Sequence, residues 1–106
     1  MLRPSEYVRK GWCKGCIAKD ANGKPTWITA ENAVAWCAIG AISVAPATSS
    51  VLVCREFDQA LKRHLNLGPA QEIGAWNDRP ERTQDEVVAA LEAVEAELFG
   101  KEIVCQ

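Results

Sequence analysis

Histidine is nearly missing from this chain. His64 is the only one, so any catalytic dyad that needs an imidazole base must use it. There is no second CxxC and no Cys/His pair to complete a zinc signature around Cys13-Lys14-Gly15-Cys16. No apolar run reaches the roughly 18 residues that span a bilayer. No Gly-rich phosphate loop, internal repeat or low-complexity tract occurs. Lys and Arg do not interleave with aromatics along any one element, and with a pI near 5.4 nucleic acid is not the expected partner. Paired carboxylates for acid/base work are also missing, since Asp78 and Glu81 fall in one turn with no marked partner. The N-terminal MLRPSEYVRK has no apolar core of the kind a secretory signal needs. The expected compartment is therefore cytoplasmic, with the five cysteines mostly reduced. An odd number fits poorly with a complete intrachain disulfide framework.

What remains is an ordinary globular composition: 106 residues, 48% apolar and 25% charged. That is one domain, 1–106, long enough to bury a core without metal or disulfide help. A net charge of −2 hides an asymmetry: residues 1–24 carry six basic side chains against two acidic, the rest six against twelve. The basic N-terminal lobe is expected to pack near the acidic C-terminal helix of its own chain, because solvated charged faces are the norm.

Thr29–Val44 (TAENAVAWCAIGAISV) carries most of the fold information. Only Thr29, Glu31, Asn32 and Ser43 are polar in it. A helix apolar nearly all round must be surrounded by other elements. The pattern predicts a buried central helix over about 29–45, capped by Thr29. Gly40 inside it points to another backbone packing close at that position. Before it, Pro4–Lys10 reads as a short helix ended by Gly11. Residues 16–28 read as a short β-hairpin or irregular turn region, Cys16–Lys19 against Thr26–Ile28, reversing at Asp20-Ala21-Asn22-Gly23. After it, Ser49 or Ser50 caps a helix to about Leu65, with Val53, Phe57, Ala60, Leu61 and His64 on one stripe. Ala70–Trp76 reads as a helical turn. Thr83 and Glu86 form a capping box for a last helix, with Val87, Leu91, Val94 and Leu98 inward, Glu92, Glu95, Glu97 and Glu102 outward, and a stop at Gly100. The fold class is mostly α: a small helical bundle around the central helix.

Three segments, taken in order, resemble a family. These are Gly11-Trp12 with Lys14-Gly15 (GW-x-x-G); Trp36-Cys37 with Gly40-Ala41 (WC-x-x-GA); and Trp76-Asn77-Asp78, then Arg82-Thr83 and Glu86-Val87 (WND…RT-x-x-EV). The chain resembles small uncharacterised proteins of bacteria and their phages, a domain of unknown function, from about Tyr7 to Leu98. The resemblance implies a small helical protein of phage or accessory gene neighbourhoods and no assigned activity. The first helix is shorter than the family pattern, and Cys13 and Cys16 are not part of it, so they inherit nothing.

Candidate chemistry is limited. Cys13 and Cys16 with Cys37 or Cys54 have the ligand type for zinc, or the pair for redox work, but the residues read best as small, partly buried thiols beside Trp12. Neither a metal nor another cofactor is expected. Cys37 as a nucleophile would need His64, which sits on the apolar stripe of another helix. Trp76, Asn77, Asp78 and Arg82, with Trp12, form the candidate ligand- or partner-binding cluster: donors and acceptors, a planar cation and stacking faces. The same residues also suit a turn and a core plug. The expected function is a non-enzymatic binding protein that engages a protein partner or a small ligand, with no membrane partner, one concrete form being a phage inhibitor of host defence. The alternative is a small hydrolase or transferase using Cys37 or Asp78.

Overall fold

Pro4 has no N–H to leave unpaired at a helix start, and its ring presets the helical φ. In the computed structural model, which describes residues 2–104, it opens helix α1 (Pro4–Lys10), and the Gly11 N–H closes the last turn on the Tyr7 carbonyl at 3.2 Å. The predicted reversal follows strand β1 (Ala18–Asp20). The Asp20 carboxylate accepts from the Asn22 and Lys24 N–H groups (2.9 and 3.0 Å), and Gly23 takes a φ of 79°.

The partner of β1 is not residues 26–28. It pairs antiparallel with β2 (Ala33–Trp36), Ala18 opposite Trp36 and Lys19 opposite Ala35, with an irregularity before Asp20. The expected ribbon survives only as a Thr26 N–H···O bond to Ala18 (3.0 Å) and a bridge between Lys19 and Pro25. Pro25 has no N–H with which to extend the ladder.

The segment 29–45 is therefore not one helix. Its first half is an exposed turn, in which Thr29 caps nothing, followed by β2; only Ala38–Val44 is helical (α2). A short apolar run does not distinguish a buried strand from a buried helix. Here tertiary pairing decides: the Trp36 N–H donates to the Gly11 carbonyl (3.0 Å), and the Cys13 N–H donates to the Trp36 carbonyl (3.4 Å). The central role remains with the shorter helix. Ala38, Ala41 and Ile42 are buried, and α2 packs against α1, α3, α4 and β2. Ile39, expected to be buried with Trp36, Cys37 and Gly40, is only half-buried.

After a 3₁₀ turn (Pro46–Thr48), helix α3 (Val51–His64) buries Phe57, Ala60 and Leu61, while His64 is exposed rather than at the core boundary. Helix α4 (Ile73–Asn77) plugs the core with Ile73 and Trp76. Helix α5 (Gln84–Val104) opens on the predicted box: the Glu86 N–H donates to Thr83 Oγ1 (3.2 Å), and the Thr83 N–H to Glu86 Oε1 (3.0 Å). Gly100 does not end it. Val87, Leu91 and Val94 are inaccessible, as their spacing predicts. Glu95 belongs to the core and not to the acidic outer face. Its oxygens accept from the Ser5 N–H (2.8 Å) and Ser5 Oγ (2.7 Å), so α5 supplies the acceptor for a free N–H at the start of α1. Arg9 pairs with Glu92 across the same interface. The Glu102 side chain and Cys105 lie outside the described residues. The architecture is mostly α: five helices and one two-stranded antiparallel sheet among the described residues.

Candidate functional site

Two close backbone approaches build the site. A Cβ on Gly11 would lie 2.1 Å from the Val34 carbonyl oxygen, and one on Gly40 would lie 2.1 Å from that of Ile17. Only glycine lets α2 settle on the loop after α1, the close approach that Gly40 signalled in the sequence. Cys37 is the N-cap of α2 rather than a residue two turns inside a helix. Its Sγ accepts from the Gly40 N–H at 3.3 Å, which leaves the Ala38 N–H in need of an acceptor.

Asn77 supplies it. This side chain is fully buried. Its Oδ1 accepts from the Ala38 N–H (3.0 Å) and from Trp12 Nε1 (2.8 Å); its Nδ2 donates to the Cys13 carbonyl (3.1 Å) and to Asp78 Oδ1 (3.0 Å). All four hydrogen-bonding positions of the amide are used. Asp78 Oδ1 also accepts from the Gly15 N–H (3.0 Å). Gly15 holds a φ of 81°, which favours glycine. Lys14 reaches back, donating to the Arg79 carbonyl (2.7 Å) with its ammonium 5.1 Å from the Trp12 ring centre. The Arg82 guanidinium carbon lies 4.1 Å from the Trp76 ring centre, and the side chain donates through Nε to the Trp76 carbonyl (3.1 Å) and pairs with Glu86 at 3.2 Å.

The structure thus brings Trp12, Asn77 and Asp78 into one bonded group, with Trp76 and Arg82 stacked beside it. The three short segments that carry the resemblance meet at one amide: Trp12 and Cys13 from the first, Ala38 from the second, Asn77 from the third. Chemically this is a lock between chain segments. What it leaves accessible is a neighbouring cleft of about 400 Å³, lined by Leu67, Ala70, Gln71, Glu72, Ala75, Trp76 and Arg79. Sequence reasoning missed Arg79 and Glu72 because both sit in stretches read only as turns.

The thiols give a second feature. Cys16, Cys37 and Asp78 share a cavity of about 200 Å³ with Ile39 and Gly74. Burial pushes the Cys37 thiol up, although the Gly40 and Ile39 N–H groups pull it down. Burial, with Cys16 and Cys37 close by, pushes the Cys13 thiol up as well. Cys13, Cys16, Cys37 and Cys54 are all free. Among the described residues, no group of three or more His, Cys, Asp or Glu is arranged to hold a metal ion. Among the same residues no helix is long and apolar enough to cross a membrane.

No match to the chain was found among curated proteins or among solved structures. A family model matches residues 6–97, nearly the whole of the bonded architecture described above. The chain belongs to the family of unknown function DUF6197.

Proposed function

We propose that this chain is a small non-enzymatic binding protein of bacterial or phage accessory type, acting in the cytoplasm by engaging a protein partner or sequestering a small ligand. One concrete form of such a protein is a phage inhibitor of host defence. The observation that carries the reading is the cleft beside Trp76. It is concave and mixed in character, with apolar walls from Leu67, Ala70, Ala75 and Trp76 and two opposite charges, Glu72 and Arg79, at its edge. Few polar groups on an apolar wall is the usual make-up of a ligand site. The hydrogen bonds of Asn77 tie down the backbone next to Trp76, and a wall fixed before binding lowers the entropy lost on binding.

The test is native mass spectrometry of protein purified from its host, wild type beside Ala75→Trp. Ala75 is exposed on the cleft wall, so the larger ring fills the cleft without entering the core. The reading expects a bound mass on the wild type that disappears from the folded variant. A bound mass that survives in Ala75→Trp overturns the assignment to this cleft.

A second reading, a small hydrolase or transferase using Cys37 or Asp78, draws on the cavity that these two residues share. Against it stand the upward shift of the Cys37 thiol and the exposure of His64 on α3. Cys37→Ser keeps a small polar N-cap, so it is expected to fold and to retain function. Loss of function in a folded Cys37→Ser variant would put the enzyme reading first.

A further inference from the structure

The loop from Cys13 to Ile17 is clasped at both ends by adjacent residues of one strand end. The Cys13 N–H donates to the Trp36 carbonyl (3.4 Å), and the Cys37 N–H donates to the Ile17 carbonyl (3.2 Å). With its ends fixed that close together, the loop has to reverse, and Gly15 makes the reversal at a φ of 81°. The reversal carries Cys13 Sγ to 3.5 Å from the Cys16 carbonyl oxygen, while the Cys16 thiol donates to the Ala18 carbonyl at 3.3 Å. Two cysteines three residues apart across such a reversal, one thiol already on the other's carbonyl, need little backbone movement to bond. Asn77 on the Cys13 carbonyl and Asp78 on the Gly15 N–H hold the loop in this shape.

Access differs between the two thiols. Cys13 is 5% exposed, whereas Cys16 is half-buried and lines the cavity that opens beside Cys37 and Asp78. A small reagent therefore meets Cys16 first.

We propose that Cys13 and Cys16 form an exchange-competent dithiol that low-molecular-weight disulfides of the glutathione type convert to a disulfide, with Cys16 as the entry thiol and Cys13 as the resolving thiol. The Cys16 thiolate attacks one sulfur of the glutathione disulfide. The S–S bond of the reagent breaks, one glutathione thiolate leaves and takes up the proton that Cys16 released. Cys13 then attacks the Cys16 sulfur of the mixed disulfide, the second glutathione leaves, and it carries away the Cys13 proton. Two protein thiols are oxidised and one glutathione disulfide is reduced to two glutathiones. The reaction is independent of whatever occupies the cleft beside Trp76.

The test titrates the full chain with glutathione disulfide, blocks residual thiols with an alkylating agent, and reads intact and tryptic masses. Trypsin cuts after Lys10, Lys14 and Lys19, so a Cys13–Cys16 bond joins Gly11–Lys14 to Gly15–Lys19. The expected result is loss of two of the five thiols, no retained glutathionyl group, and that linked peptide. In Cys13→Ser the expected product is a stable glutathionyl adduct on Cys16; in Cys16→Ser no adduct forms on Cys13. A peptide linking Cys16 to Cys37 overturns the assignment, as does a wild-type protein that keeps both thiols or holds one zinc ion through them. The wild-type measurement stands even if a serine variant fails to fold.

Discussion

Asn77 shows what one amide can organise. It answers the first free N–H of α2, the indole of Trp12 and the Cys13 carbonyl from a position with no solvent exposure. A buried polar group left without its partner costs about 1–3 kcal/mol. Asn77→Ala strands three such groups, so destabilisation of about 3 kcal/mol or more is expected in urea unfolding. A loss below about 1 kcal/mol would mean that water replaces the amide at little cost. Glycines make a second, internally controlled case. Gly40→Ala puts a methyl into the Ile17 carbonyl, a backbone atom that cannot swing away, and overpacking of this kind costs about 1–3 kcal/mol. Gly74 has nothing within 4 Å of its added Cβ, and Gly74→Ala in α4 is expected to stabilise by about 0.5 kcal/mol through the unfolded chain. If both substitutions shift the unfolding midpoint in the same direction, the close approach at Gly40 is not what selects glycine there.

At the scale of elements, the α1–α5 interface turns on a buried carboxylate. Glu95 is 3% exposed, and burial raises its pKa although the Ser5 hydrogen bonds and Arg3 lower it. Asp58 on α3 shifts the same way for the same first cause. An acid with a raised folded-state pKa holds its proton in the native state where the unfolded chain has lost it. Stability therefore falls as pH rises from the ordinary carboxylate range through the folded pKa. Glu95→Gln keeps an acceptor for the Ser5 N–H and removes the titration. The wild type should lose stability relative to Glu95→Gln as pH rises from about 4 to 7, read from urea midpoints at each pH. A constant difference across that range would mean that Glu95 ionises in the core without penalty. This interface also marks a limit of sequence reading. The spacing of Val87, Leu91 and Val94 gave the buried stripe of α5, but Glu95 follows Val94 directly, and its type alone assigns it to solvent. Only the arrival of Ser5 from ninety residues away makes its burial possible. The same limit explains residues 29–36. Their apolar pattern reads as a buried helix, but of these residues only Trp36 is buried, and the choice of strand over helix depends on Gly11, Cys13 and β1.

Over the whole molecule, local signals and long-range ties divide the work. Caps, turns and stripes of α1, α3 and α5 were legible because their causes lie within a few residues. The candidate cluster was legible as a set of residue types; its use was not, because the partners of Asn77 come from loops 39 to 65 residues away. Those separations matter for unfolding. The lock ties the N-terminal loop, the start of α2 and the end of α4 into one bonded unit, so no one of them can open alone without stranding buried groups in the others. Of the four tryptophans, Trp12, Trp36 and Trp76 lie in or beside that unit and Trp27 is exposed, so changes in tryptophan fluorescence report mainly on the unit, and far-UV circular dichroism reports mainly on α3 and α5. In the wild type the two probes should give one coincident urea transition. In Asn77→Ala the unit loses its tie, while no side chain of the α3–α5 packing (Phe57, Leu61, Leu91 and Val94) is changed. The tryptophan transition is then expected to move to lower urea than the helical one, splitting a single unfolding step into two. Coincident transitions in a destabilised Asn77→Ala protein would show instead that α2 and the long helices share one cooperative core, with the amide adding stability to all of it at once.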